Sequence, residues 1–428
     1  MPAPPIPTCG ATADNPYMIA LYYCYVPVAS VSSLIDFHDR FSVTIGGRIR
    51  ASPEGINGVL SATRLELTSY EDALRIYLAN QAPASAPVLE LDVKYCHLRD
   101  DVPASKQTFD KLSVASTGEV VSTGWYGGHD AAHNKPRRRR GRRNKNRGTR
   151  YPHADDDGED DGPAEAPRAA IPPPAPAPHL SPGDWHRALL EASSSSSSAV
   201  LVDMRNVYES RIGCFAVPGV PTVAANTRSY RSFPSVLEGG SGKAGADQKL
   251  ETIVAGKDVF MYCTGGVRCE RASQKILEWA AGTEGAPRRI FQLDGGIQRY
   301  LEHYGNREGV PAGGEADAPS LFRGKNFVFD PRRTDPAVGE GAVGRCRVCD
   351  TTHDDYDNGH APADNREARC CRCRILVLCC DRCRANRRCN GEERKGEAVD
   401  LFCGPKGEEC VDEGNSGVVE VLSSLSLS

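Results

Sequence analysis

The sequence predicts a mixed chain of α/β and α+β type: an α+β sandwich, then a parallel α/β domain, then a small cysteine-rich segment. Three patterns carry this reading. Strand and helix signals follow the order β-α-β-β-α-β between residues 17 and 94. Buried-strand runs alternate with helical patterns between 179 and 305. Finally, 11 of the 17 cysteines fall between Cys346 and Cys410. At 428 residues the chain is too long for one ordinary core.

In the first unit, Tyr17 to Val26 is β-rich, and Val28 to Phe41 has helical spacing with Asp36 and Asp39 outward. Arg48 to Ala51 and Val59 to Ala62 read as short strands around the Gly-rich turn Pro53 to Gly58. Thr68 to Leu78 reads as a helix capped by Thr68 or Ser69, with Glu71 and Asp72 in its first turn. Leu89 to Lys94 closes the set as a strand. This order is that of a ferredoxin-like sandwich, assigned to residues 1–126, and by itself it says little about function.

Residues 127–178 pass into Gly, charge blocks and a Pro-rich run, too polar to offset the entropy of ordering, and are expected to be disordered. The net charge of -4 hides two opposite blocks here: Lys135 to Arg150 holds 10 basic residues and no acid, and Asp155 to Glu165 holds 7 acids. The 135–150 run suits RNA contact, a nuclear-localisation patch, or a solvated linker. No aromatic residue interleaves it to stack on bases. Trp125-Tyr126, just before it, reads as domain-edge packing.

The second unit spans 179–305. Ser181 begins a helix carrying Trp185 and Leu189, and the serine run 193–198 reads as a loop expansion. Ala199 to Met204, Asp258 to Tyr262 and Arg289 to Leu293 read as buried strands, each followed by turn residues and a helical pattern. The last leads through Asp294-Gly295-Gly296 into a helix from Ile297 to His303. Such alternation implies a parallel sheet with functional groups at the strand C-terminal ends.

The segment Cys263-Thr264-Gly265-Gly266-Val267-Arg268 stands at one such end. Gly265 and Gly266 let the backbone curl so that amides point at the sulfur, and the helix beginning near Arg268 adds its partial positive charge. Arg268 adds a full charge, and all three favour the nucleophilic thiolate. The plain alternative is a buried thiol on a simple strand-to-helix turn; two glycines and an arginine together favour the active reading. Cys269 reads as a helix-packing cysteine ahead of a resolving thiol.

Cys263-x4-Arg268 at a strand-loop-helix junction, with Leu201-Val202-Asp203-Met204-Arg205-Asn206-Val207-Tyr208-Glu209 upstream, resembles the rhodanese family. The resemblance implies a rhodanese-type fold, a persulfide on Cys263, and Asp203 and Arg205 as supports of the loop. Related phosphatases carry five residues between Cys and Arg. The four here, Thr264 to Val267, make a tighter cradle that suits sulfur better than phosphate. The family often has His after the glycine where this chain has Gly213-Cys214-Phe215, and Cys214 is not expected to be catalytic.

Further strings sharpen the resemblance: Glu54-Gly55-Ile56-Asn57-Gly58, Gln292-Leu293-Asp294-Gly295-Gly296-Ile297 and Gly324-Lys325-Asn326-Phe327-Val328-Phe329-Asp330. Together with the Cys263 loop they are similar to the tRNA wobble-uridine hydroxylase family and its eukaryotic rhodanese-like relatives. That implies oxygen-dependent 5-hydroxylation of a tRNA uridine, with Cys263 essential and tRNA as partner. The second reading is a sulfurtransferase that moves sulfane sulfur from a donor to an acceptor thiol. The third is a noncatalytic RNA- or protein-binding scaffold. No organic cofactor signature is evident.

After a connector at 306–345, the segment 346–410 carries three Cys-x2-Cys pairs before a tail at 411–428: Cys346/Cys349, Cys370/Cys373 and Cys380/Cys383. Two such pairs complete a tetrahedral zinc site, so structural zinc is the expected cofactor. Which pairs combine stays open, since Cys371, Cys379, Cys389, His353 and His360 are substitutes. Interspersed arginines, among them Arg372 and Arg382, suit phosphate contact. No apolar run approaches the roughly 18 residues of a membrane helix, and the N-terminus lacks a secretory pattern. With cysteines clustered as for metal thiolates, the expectation is an intracellular, cytoplasmic protein without a membrane partner.

Overall fold

Side chains alternate along Tyr17–Tyr25 (β1). Met18, Ala20, Tyr22 and Cys24 enter a core beneath two helices, while Ile19, Leu21, Tyr23 and Tyr25 face the other way. That division positions everything that follows. The computed structural model describes residues 12, 14–81, 91–123, 175–195, 198–225, 227–238, 250–281, 283, 285–305, 318–338, 341–356, 368–385 and 418–420. The 135–150 run, the acidic block, Trp125-Tyr126 and most of the 127–178 insert lie outside the described residues.

The first unit continues through α1 (Val31–Asp39), β2 (Gly46–Ser52), β3 (Gly55–Thr63), α2 (Arg64–Gln81), β4 (Asp92–His97), α3 (Ala104–Gln107) and β5 (Leu112–Ser116). The sheet order is β4-β1-β3-β2-β5, with β1–β3, β1–β4 and β2–β3 antiparallel and β5 added parallel to β2. It is a ferredoxin-like sandwich with one extra edge strand. The β2–β3 hairpin is longer than the sequence predicts, and its turn shrinks to Pro53-Glu54. Helix α2 starts at Arg64, a turn before Thr68. The amide and hydroxyl of Thr63 both donate to Glu66 Oε2, at 3.0 and 2.7 Å, and so start the helix. Thr68 instead donates its hydroxyl back to the Arg64 carbonyl, 2.9 Å, from within the helix.

The second unit comprises β6 (His179–Leu180), α4 (Pro182–Ser194), β7 (Ala199–Asp203), α5 (Val207–Ser210), β8 (Gly213–Phe215), β9 (Thr222–Ala225), α6 (Phe233–Glu238), α7 (Leu250–Val254), β10 (Asp258–Tyr262), α8 (Val267–Ala280), β11 (Arg289–Leu293) and α9 (Gly296–Tyr304). Strands β9-β7-β10-β11-β6 run parallel in that spatial order. Both faces are covered, which is why these strands read as unbroken apolar runs. Val200, Val202, Val259 and Met261 fill one side with α8, and Leu201, Phe260 and Tyr262 fill the other with Trp185 and Leu301.

Two strands from the stretch expected to be a connector, β12 (Phe322–Phe327) and β13 (Thr334–Val338), build a second small sheet with β8. Helix α10 (Asp381–Ala385) begins within the last Cys-x2-Cys pair and carries Cys383, and β14 (Val418–Glu420) pairs antiparallel with β9. Among the described residues no helix is long and apolar enough to cross a membrane.

Candidate active site

Strand β10 delivers Cys263 to the C-terminal edge of the parallel sheet, and α9 then ties the loop down. The Ile297 amide donates to the Cys263 carbonyl at 2.9 Å, and the Gln298 amide to the Thr264 carbonyl at 3.0 Å. This close approach explains Asp294-Gly295-Gly296. Gly296 has φ +65°, and a Cβ there would lie 2.6 Å from the Cys263 carbonyl oxygen and 2.7 Å from the Gly266 nitrogen. With its carbonyls held on one side, the loop turns amides to the other. Gly266, at φ +99°, donates its N–H to Cys263 Sγ at 3.2 Å.

Cys263 is fully buried, and burial alone would push its thiol up. Four groups outweigh that: a hydrogen bond from the Cys269 thiol, the charge of Arg268, and the amides of Arg268 and Gly266. They bring the thiol down to about 5, so the sulfur is a thiolate at neutral pH.

Arg268 is locked rather than free. Its guanidinium gives two hydrogen bonds to Glu209, 2.8 and 2.7 Å, and a third to Thr264 Oγ1, 3.1 Å. Thr264 in turn donates to Glu209 Oε2 at 3.2 Å, and the Val267 carbonyl accepts from the Tyr25 hydroxyl at 3.1 Å. Glu209 is a site residue that the sequence reading left without a role. Its signal was the spacing Asn206-x-x-Glu209, a helix-capping pattern, and its carboxylate accepts the Asn206 amide at 3.0 Å.

Asp203 and Arg205 are buried against each other, Arg205 Nη2 lying 2.6 Å from Asp203 Oδ2. Arg205 also donates to the carbonyls of Gly213 and Glu209. The pair therefore braces the α5 turn that carries Glu209, and Glu209 braces the loop. Cys214 lies on β8, where burial pushes its thiol up to about 12.

The outward face of β1 roofs the loop. Leu21 Cδ2 sits 2.9 Å from where a Cβ on Gly265 would stand, and Tyr23 Oη is equally close to that of Gly266. Tyr23 donates to Glu270 Oε1 at 3.2 Å, and His179 Nε2 meets the same oxygen at 2.8 Å. Ion pairs Arg271–Glu54 and Arg299–Asp92 fasten the two units beside the roof. Glu54 also accepts the Val120 amide at 2.8 Å. Sequence spacing carried no sign of this roof, because its members lie more than 200 residues from the cysteine.

In the C-terminal segment the thiols of Cys346, Cys349, Cys380 and Cys383 lie within 4.8 Å of one another. Cys349 and Cys380 Sγ are 3.6 Å apart, close to the roughly 3.8 Å edge of a tetrahedron of thiolates about zinc. The Cys380 amide donates to Cys346 Sγ at 3.3 Å, as such turns do. The donor set and spacing fit zinc. Cys346/Cys349 thus meets Cys380/Cys383. Cys370 and Cys373 pack instead with Ile375 and Val377 against Val207 and Tyr208. Cys379 is buried beside the four-thiol cluster and Cys371 is exposed; Cys389 and His360 lie outside the described residues.

A cysteine thiolate in a backbone cradle at the end of a parallel strand, with four residues between it and an arginine, is the arrangement of a rhodanese-type domain, here docked on a ferredoxin-like sandwich. Residues 17–120 match the family described as UPF0176 acylphosphatase like domain. The chain is 32% identical over 377 residues to Rhodanese-like domain-containing protein 6 of Arabidopsis thaliana, covering 87% of this chain and 51% of that protein, so it spans about half of that relative's length. It is 26% identical over 398 residues to the tRNA uridine(34) hydroxylase of Cytophaga hutchinsonii, covering 90% and 94%. It is 25% identical over 405 residues to the protein of the same name in Chlamydia muridarum, covering 92% and 91%. The chain resembles these hydroxylases over about nine-tenths of its length.

Proposed function

We propose that this protein is a cysteine enzyme that modifies a uridine of tRNA, with Cys263 as the essential nucleophile and 5-hydroxylation of the wobble position as the reaction. The observation that carries the reading is the thiolate site itself. Cys263 is held by the Gly266 amide, with Arg268 and Cys269 as further stabilisers, in a chain alike to tRNA uridine(34) hydroxylases over nine-tenths of its length. An inert packing cysteine has no need of an amide cradle, a locked arginine and a glycine-dependent tether. Thr264, Gly265, Gly266, Val267 and Arg268 form the active loop, and Asp203, Arg205 and Glu209 support it. Cys346, Cys349, Cys380 and Cys383 would hold structural zinc, tying the ends of the cysteine-rich segment together.

The test is mass spectrometry of tRNA nucleosides from cells lacking the gene, rescued with wild type or Cys263→Ala. Loss of nucleosides derived from 5-hydroxyuridine, restored by wild type alone, supports the reading. Unchanged nucleosides overturn it. A second reading, sulfane-sulfur transfer, is favoured by one observation: the loop between Cys263 and Arg268 is four residues long and turns the Gly266 amide onto the sulfur at 3.2 Å. Turnover of thiosulfate by the purified protein, absent in Cys263→Ala, tests it.

A further inference from the structure

Cys269 occupies the first turn of α8, with its amide donating to the Gly266 carbonyl at 2.9 Å. That bond hangs it from the residue whose own amide holds Cys263 Sγ. Both cysteines are fully buried and belong to one packed cluster, together with Met261, Ala272 and Ile276. Cys24, Cys96 and Cys214 lie on strands β1, β4 and β8, away from the loop. A second thiol buried in the same cluster as the nucleophile, and tied to the same glycine, has a chemical use that packing alone does not explain.

We propose that Cys269 is the resolving thiol of this site: when Cys263 carries an electrophilic sulfur, Cys269 attacks Cys263 Sγ and closes an internal disulfide. The inference rests on Cys263 being the nucleophile. Two entries to the same product balance. With thiosulfate, the Cys263 thiolate takes sulfane sulfur and releases sulfite. The Cys269 proton then passes to the outer sulfur, the Cys269 thiolate forms the new S–S bond, and hydrosulfide leaves. With hydrogen peroxide, Cys263 becomes a sulfenic acid, and its condensation with the Cys269 thiol releases water. In both, Cys263 is oxidised by the named reagent, and two thiols end as one disulfide.

The chain provides its own assay. Cleavage after Lys257, Arg268 and Arg271 places the two cysteines in separate tryptic peptides, 258–268 and 269–271. The experiment treats the full-length protein with one equivalent of thiosulfate or hydrogen peroxide and maps peptides without reduction. Wild type is expected to yield the two peptides joined. Cys269→Ser keeps an O–H donor to the thiolate, so a merely positioning role survives in it. It is expected to accumulate trapped persulfide or sulfenic acid on Cys263 with a lifetime about tenfold longer than wild type. A Cys263 adduct that persists equally in both proteins, with no joined peptide, overturns the proposal. Absence of any adduct, with Cys263 alkylated no faster than other thiols, overturns the underlying reading as well; rapid alkylation with equal adduct lifetimes overturns this inference alone.

Discussion

Glu209 holds Arg268 through both carboxylate oxygens, at 2.8 and 2.7 Å, in a site where neither side chain is more than 6% exposed. The arginine that polarises the Cys263 loop is thus pinned by a residue of α5, and its geometry depends on that helix. Removing one partner strands a buried charge. Glu209→Gln is expected to destabilise the protein by about 3 kcal/mol in denaturant unfolding, with Arg268→Gln similar. The double variant should lose clearly less than the sum, giving a coupling of about 2 kcal/mol. Additive losses would show that the pair does not act as a unit.

The Cys263 thiol carries a pH signature. Its folded-state value, about 5, lies below the ordinary 9, so between those limits the unfolded chain binds a proton that the folded chain does not. Stability from this group is present above pH 9 and drains away as pH falls toward 5. Cys263→Ser should flatten the dependence of unfolding free energy on pH across that window. Iodoacetamide alkylation of Cys263 should show a midpoint near 5, and Cys269→Ala should move it upward, since that variant deletes a donor to the thiolate. An unchanged midpoint would remove Cys269 from the set of stabilisers.

The roof over the loop limits access. Tyr23 fills the space above Gly266 and anchors on Glu270. Tyr23→Ala is expected to raise the alkylation rate of Cys263 at pH 7 about tenfold by removing the ring packed on Gly266 beside the sulfur, with a smaller change for Tyr23→Phe, which keeps the ring. Equal rates in all three proteins would mean that reagent reaches the sulfur by another route.

The four-thiol cluster predicts metal content. Cys346→Ser should lower zinc, measured by elemental mass spectrometry of the purified protein, by about one equivalent per chain. Cobalt substituted into wild type should give a thiolate-to-metal charge-transfer band that this variant weakens. Undiminished zinc would exclude these four thiols as the site.

Local patterns announced most of the architecture and the centre of the site. Period-two alternation in β1, unbroken apolar runs at β7, β10 and β11, and the Cys263-x4-Arg268 loop are each written within about ten consecutive residues, where steric and burial rules act directly. The start of α2 was misplaced because its cap works through a side chain at Glu66, and Thr68 looked equally suited. The short strands β12 and β13 were missed because β12 pairs with β8, more than 100 residues earlier, and β13 joins the sheet only through β12.

By itself, then, the sequence determined the two folds, the placing of Cys263 at a strand end and the glycines that curve its loop, since each follows from backbone conformation and local burial. Only the tertiary structure decided which thiols share a site, that Glu209 holds Arg268, and that β1 packs over Gly265 and Gly266. Those are contacts between distant segments. Their energies come from desolvated charges and packed faces that exist only once the chain has closed on itself.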